Sequence, residues 1–238
     1  MTYGGVDGAE GVVASAADRG VLDQLSIVEA AIEVLEEQGV AKFTVAAVAR
    51  LLAAPVTSVH WHFRTKADLL NAVAEQVTLD FYNALPPVAL ERAWDVELQT
   101  YFKAMRQQLL KNRSFIDLSL DRGGYLLSRP RVRQTINVRL EAELAALVRV
   151  GVSPDDAYRL YNTGSNYVRG FVVLELAHVG QIHEAEDIET QLLDPQKFPL
   201  MSQIPDLGAL SWRDADHQFD LGLKLLLIGM REQIQTEV

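Results

Sequence analysis

Apolar residues recur at intervals of three and four along nearly the whole 238-residue chain, and alternating apolar–polar stretches are nearly absent. That is the helical period, so an all-α fold is predicted. The first helix is predicted from about Ser26 to Gln38. Ile27, Ala31, Val34 and Leu35 form its stripe, while Glu29, Glu33, Glu36 and Glu37 lie elsewhere. Ser26 suits an N-cap and Gly39 a C-terminal stop. A short helix follows, capped by Thr44, with Val45, Val48, Ala49 and Leu52 inward. Ala53-Ala54-Pro55 makes a tight break, and a second short helix is predicted from about Val56 to His62. The next begins after Thr65, whose spacing to Asp68 is that of a capping box with Asp in place of the preferred Glu. Leu69, Leu70, Val73 and Val77 carry its apolar face, and Pro86-Pro87 marks the break behind it.

Further helices are predicted near Leu90–Leu110, Phe115–Leu120 and Pro130–Val150. At Ser153-Pro154-Asp155 a cap, a first-turn proline and an acidic residue at the positive end of the helix dipole start one more, running to about Gly180. The stretch Gln181–Arg213 holds Pro195, Pro199 and Pro205 and reads as a long loop with room for one short helix. The last helix, about Asp214 to Ile234, is too apolar all round for a lone surface helix. A monomer core or a dimer interface would absorb its excess.

Composition narrows the function classes. With 49% hydrophobic residues the chain can bury a real core. The absence of cysteine excludes disulfides, thiol nucleophiles and cysteine-ligated metal, and suits a reducing cytoplasm. No apolar run comes near the roughly 18 residues of a membrane span. Met1 to Gly20 lacks the basic start and continuous apolar centre of a signal peptide and reads as a floppy extension. The net charge of −10 argues against indiscriminate nucleic-acid binding. Yet from Ala41 to Lys66 there is no Asp or Glu, and the window holds Lys42, Arg50, Arg64 and Lys66 with His60 and His62. Such a patch on an acidic chain reads either as a directed DNA-binding face or as a chance cluster of solvated basic residues.

Two short helices joined by a tight turn, behind a longer helix, have the layout of a helix-turn-helix. The segment Phe43-Thr44-Val45 … Val48-Ala49 … Leu52 … Val56-Thr57-Ser58-Val59-His60-Trp61-His62-Phe63-Arg64-Thr65-Lys66-Ala67-Asp68-Leu69-Leu70 resembles the signature of the TetR family of transcriptional regulators, as does the lead-in from Ile27 to Val40. Phe219-Asp220-Leu221-Gly222-Leu223-Lys224-Leu225-Leu226 resembles the final helix of the tetracycline-repressor branch. Arg129-Pro130 and the helix containing Gly170 to Glu175 resemble that branch too.

The resemblance implies a flexible extension over 1–22, a three-helix DNA-binding domain over 23–70 and a larger helical ligand-binding and dimerisation domain over 71–238. It implies a homodimeric, cytoplasmic, ligand-responsive regulator of an operator, repression being the family's common mode, with no enzyme activity, cofactor or metal. Thr44 and Lys66, at helix N-termini, would hold phosphates. Thr44 also reads simply as an N-cap. His60 stands where the family usually has a phosphate-contacting tyrosine. Val56, Thr57 and Ser58 open the recognition helix; they are short enough to touch thymine methyls or make single hydrogen bonds, but not bidentate contacts. Val56 also reads as local packing. His62 is split between a polar cap and a DNA contact, while Trp61 and Phe63 are expected in the core.

In the ligand-binding half, Arg129-Pro130 places Tyr125 where the tetracycline branch has a metal-linked histidine. Gly170 places Asn166 at a drug-contacting histidine and Leu174 where a glutamate is expected, with Glu175 one step off. No magnesium–tetracycline complex is therefore implied. Tyr125, Arg129, Asn166 and Arg169, with Leu174, are the candidate ligand contacts, each of which also reads as a surface or helix-packing residue. The competing class is a helical enzyme or carrier, which rests on His178, His183, Glu184, Glu186 and Asp187, read more simply as a solvated charge run. A third option is a partner-binding helical module with a degenerate DNA face.

Overall fold

The computed structural model describes residues 22–178, 194–204 and 214–237, and among them there are helices and no strand. Helix α1, Gln24–Lys42, begins one turn-fragment earlier than its stripe suggested. Asp23, not Ser26, is the N-cap: its carboxylate accepts from the Ser26 amide at 2.8 Å, and the Ser26 hydroxyl accepts from the Asp23 amide at 3.2 Å. Ser26 thus supplies the reciprocal half of a capping box. The helix is interrupted at Gly39, whose φ of 73° glycine adopts without a Cβ clash.

Helices α2 (Val45–Leu51) and α3 (Val56–His62) form the expected pair. The Thr44 hydroxyl caps α2 by accepting from the Ala47 amide at 3.1 Å. Between the helices the Ala54 amide donates to the Ala49 carbonyl at 2.9 Å, closing a six-residue reverse turn around Ala53, whose φ is 49°. A left-handed alanine is disfavoured, and a glycine there would lose more chain entropy on folding. The balance favours glycine, so Ala53→Gly is expected to stabilise the protein by up to about 1 kcal/mol. A urea midpoint that falls would show that the turn is held by something other than local backbone preference.

Helix α4, Lys66–Ala84, opens on the capping box read from the sequence: Thr65 Oγ1 accepts from the Asp68 amide at 3.1 Å, and Asp68 Oδ2 accepts from the Thr65 amide at 3.0 Å. The domain boundary expected at residue 70 falls inside this continuous helix. Its buried face, from Leu69 to Tyr82, packs on α1 and then on the later helices. The later helices are α5 (Trp94–Lys111), α6 (Arg113–Ser128), α7 (Pro130–Val148), α8 (Pro154–His178) and α9 (Ala215–Glu237), of which α5, α6 and α7 pack against α4. The helix expected over Phe115–Leu120 is longer at both ends, because the apolar positions on either side of a bend at Arg122, φ −121°, still face the core. Ser153 opens α8 as expected, its hydroxyl accepting from the Asp156 amide at 3.2 Å.

Of the stretch expected as a loop after α8, residues 194–204 are described and hold a turn and a single 3-10 turn at Met201–Gln203. The extension over residues 1–21, and His183, Glu184, Glu186 and Asp187, lie outside the described residues. Leu22, assigned to the extension, packs against the core. Among the described residues no helix is long and apolar enough to cross a membrane.

A candidate DNA face and a polar centre in the helical body

Val59 is completely buried and Phe63 nearly so, and these two anchor α3 on the core. Helical rotation then sends Val56, Thr57, His60 and Trp61 outward. Ser58 and His62 are half-buried at the flanks of that face. Trp61 is 89% exposed, which corrects the expectation that it packs in the core. It sits two positions past Val59, on the opposite side of the helix, so burying one exposes the other. The His60 Nδ1 lies 3.3 Å from the Phe63 carbonyl, which can only accept, so a phosphate bond from Nε2 requires the doubly protonated imidazolium.

Thr44 and Lys66 come together at the edge of this face. The Lys66 ammonium donates to the Phe43 carbonyl at 2.6 Å and lies 5.5 Å from the Phe43 ring centroid. Lys66 therefore ties the start of α4 to the residue before the α2 cap, and its two remaining N–H groups are available to a phosphate. Lys42, Arg50 and Arg64, in the same stretch of chain, are exposed too. No carboxylate interrupts the stretch from Ala41 to Lys66, so the face keeps its positive field.

The proposed ligand contacts divide. Tyr125 is half-buried, and the Arg129 guanidinium lies 5.7 Å from its ring centroid while Nε donates to Glu75 Oε2 at 3.1 Å. Arg169 is half-buried, within 3.4 Å of the Tyr82 hydroxyl and 3.3 Å of Ser165 Oγ. Asn166 and Leu174, the other two candidate contacts, are exposed in the single chain. The inward stripe of α8 is Ala157, Tyr161, Ser165, Val168, Val172 and Glu175, and Asn166 and Leu174 lie off it. Glu175, the residue one step off the expected register, is the buried one.

Where α5, α7 and α8 meet, the interior is polar in a way that was not anticipated. Glu97 and Tyr101 stand one turn apart on α5, Glu143 is on α7, and Tyr161 is on α8; all are buried. The Tyr101 and Tyr161 hydroxyls are 3.1 Å apart and hydrogen-bonded. Glu143 is completely buried, and neither of its carboxyl oxygens has a hydrogen-bond partner among the described residues. Burial, and then the nearby Glu97, push its carboxyl up to about 8. Burial pushes both phenols up, Tyr161 to about 12; Tyr161 raises Tyr101 further, whereas the hydrogen bond with Tyr101 lowers Tyr161. Arg139, one turn before Glu143, does not bond to it. Its guanidinium is spent on the carbonyls of Leu85 at 2.7 Å and Pro86 at 2.9 Å. A signal for Glu143 was present in the sequence: Val132, Ile136, Leu140, Glu143 and Leu147 share one helical stripe, so a carboxylate interrupts an apolar row.

A helix-turn-helix with a cleared positive face, built onto a larger helical body with a polar centre, defines a DNA-binding transcriptional regulator of the one-chain sensor type. A family model described as "Bacterial regulatory proteins, tetR family" matches residues 27–73, and one described as "Tetracyclin repressor-like, C-terminal domain" matches residues 86–234. The chain belongs to the TetR family, in its tetracycline-repressor-like branch. Among relatives, an HTH-type transcriptional repressor of Mycobacterium tuberculosis is 29% identical over 213 residues, covering 88% of this chain and 80% of the relative. Among solved structures, a TetR variant from Acinetobacter baumannii AYE in complex with minocycline aligns with a TM-score of 0.59 at 24% identity, over 89% of this chain and 98% of that one. BioQ with its natural double-stranded DNA operator aligns with a TM-score of 0.55 at 23% identity, over 88% and 98%. The latter two speak for the fold alone.

Proposed function

We propose that the protein is a cytoplasmic, homodimeric repressor that a small molecule releases from a near-palindromic operator, and we assign it no reaction. The observation that carries this reading is the exposed outward face of α3 beside Thr44 and Lys66, in a stretch from Ala41 to Lys66 that has basic residues and no Asp or Glu. Val56, Thr57, Ser58, His60 and His62 present short or singly bonding side chains to the major groove, with Thr44 and Lys66 on the flanking phosphates. Trp61 joins them as an apolar contact to the backbone or a thymine methyl. Shape and phosphate contacts then contribute more than base readout.

Dimerisation is supported by the outer faces of α8 and α9. Tyr158, Val173 and Leu174 on α8, and Leu221, Leu225 and Ile228 on α9, are large apolar residues each at least 40% exposed in the single chain. The two helices pack side by side, so a second copy would complete a four-helix interface. Such a pair sets two recognition helices one DNA turn apart, roughly 34–36 Å. A ligand preferring another spacing weakens operator binding by no more than its differential affinity for the two states. A monomeric mass by light scattering at micromolar concentration would overturn the dimer.

The experiment that tests the function is pull-down of genomic fragments, followed by gel shift on the recovered DNA at two salt concentrations. The wild type is expected to select one near-palindromic sequence. Lys66→Ala is expected to bind about tenfold more weakly, with a salt slope shallower by about one phosphate contact. Because Lys66 also holds the Phe43 carbonyl, a melting curve on the variant separates lost phosphate contact from a loosened domain. A ligand-stripped wild type that still recovers nothing above background would sink the reading.

A further inference from the structure

The polar centre among α5, α7 and α8 has a chemistry that selects its ligand, on the reading that the helical body senses a small molecule. Three inward helical faces converge there. Glu97 and Tyr101 come from α5, Glu143 from α7, and Tyr161, Ser165 and Arg169 from successive turns of α8. Phe102 closes one side, tilted against the Tyr161 ring at 6.2 Å between centroids. A Cβ on Gly164 would lie 2.3 Å from Phe102 Cζ, so the glycine is what lets this ring sit between α5 and α8. Tyr101, Phe102 and Tyr161 together make an aromatic wall beside the two carboxyl groups.

Within this wall the hydrogen-bonding ledger is unequal. The phenols satisfy one another at 3.1 Å. Arg169 bonds to Tyr82 and Ser165 and Arg139 to the carbonyls of Leu85 and Pro86, and neither hydrogen-bonds to Glu143 or to Glu97 Oε2. Arg92 approaches Glu97 only to 3.6 Å, and Glu97 Oε2 has no hydrogen-bond partner among the described residues. Both oxygens of Glu143 are in the same position. Buried polar atoms without partners are costly, and a buried acidic group normally sits opposite a cation or a donor. Three oxygens thus lack a hydrogen bond, and of these only Glu97 Oε2 has a cation nearby, Arg92 at 3.6 Å. Beside aromatic rings they match one kind of group: a nitrogen that carries several N–H donors and a positive charge, which the ring faces also attract.

We infer that this centre is the effector site and that its ligand carries a protonated amine, seated on Glu143 and Glu97 against the faces of Tyr101, Phe102 and Tyr161. Glu143 is the specificity-determining residue. On the alkaline side of the Glu143 carboxyl's own value a carboxylate ligand of the same shape would meet two like-charged groups and be rejected, and a neutral alcohol would leave most of the acceptor oxygens unpaired.

The test uses the full-length dimer and three matched probe series of graded chain length: ω-phenylalkylamines, ω-phenylalkanols and ω-phenylalkanoates. Binding is read by titration calorimetry on the alkaline side of the Glu143 carboxyl's own value, where an ammonium need displace no proton. The best amine is expected to bind about 10–100-fold more tightly than the alcohol of equal length, with the carboxylate weakest. Glu143→Gln is expected to erase that preference while leaving alcohol binding within about threefold, since it keeps the volume and removes the charge. A melting curve confirms that the variant is folded, and Glu143→Asp, which restores the charge, is expected to recover part of the preference. Amines that fail to bind, that bind no better than alcohols, or that bind Glu143→Gln equally well overturn the inference. Gel shift with the same amine is read separately: a Glu143-dependent ligand that leaves the operator complex intact confirms the site's chemistry while refuting its role as the effector site. Loss of operator binding by the unliganded protein would count against the regulator reading itself.

Discussion

Arg106→Leu is expected to destabilise the fold by about 3–5 kcal/mol, the cost of leaving a buried carboxylate without its partner. Arg106 lies on α5 and reaches two other helices. Its Nε and Nη2 donate to the Glu175 carboxylate on α8 at 3.0 and 2.7 Å, and Nη1 donates to Asp216 on α9 at 2.6 Å. The guanidinium also faces the Phe219 and Phe171 rings, 4.8 and 5.5 Å from their centroids. Both Arg106 and Glu175 are less than a tenth exposed, so water cannot replace the lost bonds. Asp216 is open to solvent and contributes little by comparison. The double change Arg106→Leu, Glu175→Leu is expected to recover much of the loss, because it removes the orphaned charge together with its partner. Urea unfolding at fixed protomer concentration measures both, the concentration being fixed because dimerisation adds to apparent stability. A single-variant loss below about 1 kcal/mol would mean that the pair behaves as a surface contact.

The second large effect is on the pH dependence of stability, through Glu143. Its carboxyl titrates at about 8 in the folded chain against an ordinary 4.5, first because it is buried and second because Glu97 is near. Arg139 opposes the shift, and the other groups facing it, Tyr101 on α5 and Tyr161 on α8, are phenols raised by the same burial. Between 4.5 and 8 the folded chain holds a proton that the unfolded chain has released. The contribution is therefore fully present below 4.5 and is lost as pH rises, at about 1.4 kcal/mol per pH unit, levelling above 8. Glu143→Gln cannot titrate. Its stability relative to wild type is expected to be lowest near pH 4.5, to climb through that window and to reach its maximum above pH 8. Denaturant midpoints across the range measure the difference, and two parallel curves would show that Glu143 is hydrated or neutralised by an ion.

Much of the DNA-binding unit was legible because its determinants are local. The Thr44 cap, the Thr65–Asp68 box, the break at Gly39 and the tight turn at Ala53 each depend on residues within a few positions of one another. The misplaced cap at Ser26 belongs to the same class: Asp23 and Ser26 share one box, and the reading took the wrong partner as the start. Trp61 shows where local reasoning stops. Its hydrophobicity suggested the core, but α3 has room for one anchored face, and Val59 and Phe63 hold it.

In the helical body the sequence placed the elements but not their partners. Periodicity marks an inward stripe on each helix without saying which stripes meet, so a register borrowed from Gly170 set Asn166 and Leu174 on the exposed side of α8. Glu143 interrupts an apolar row, which is visible in the sequence. That it faces Glu97, while Arg139 one turn away is committed to the linker carbonyls, is not. The sequence by itself determined the order of the helices, most of their caps, the family and the basic stretch from Ala41 to Lys66, all governed by short-range backbone and side-chain preferences. Only the tertiary structure decided which charges lose their water and which partners they then find. The pairing of Arg106 with Glu175 and the unpartnered state of Glu143 both depend on residues far apart in the chain being packed together.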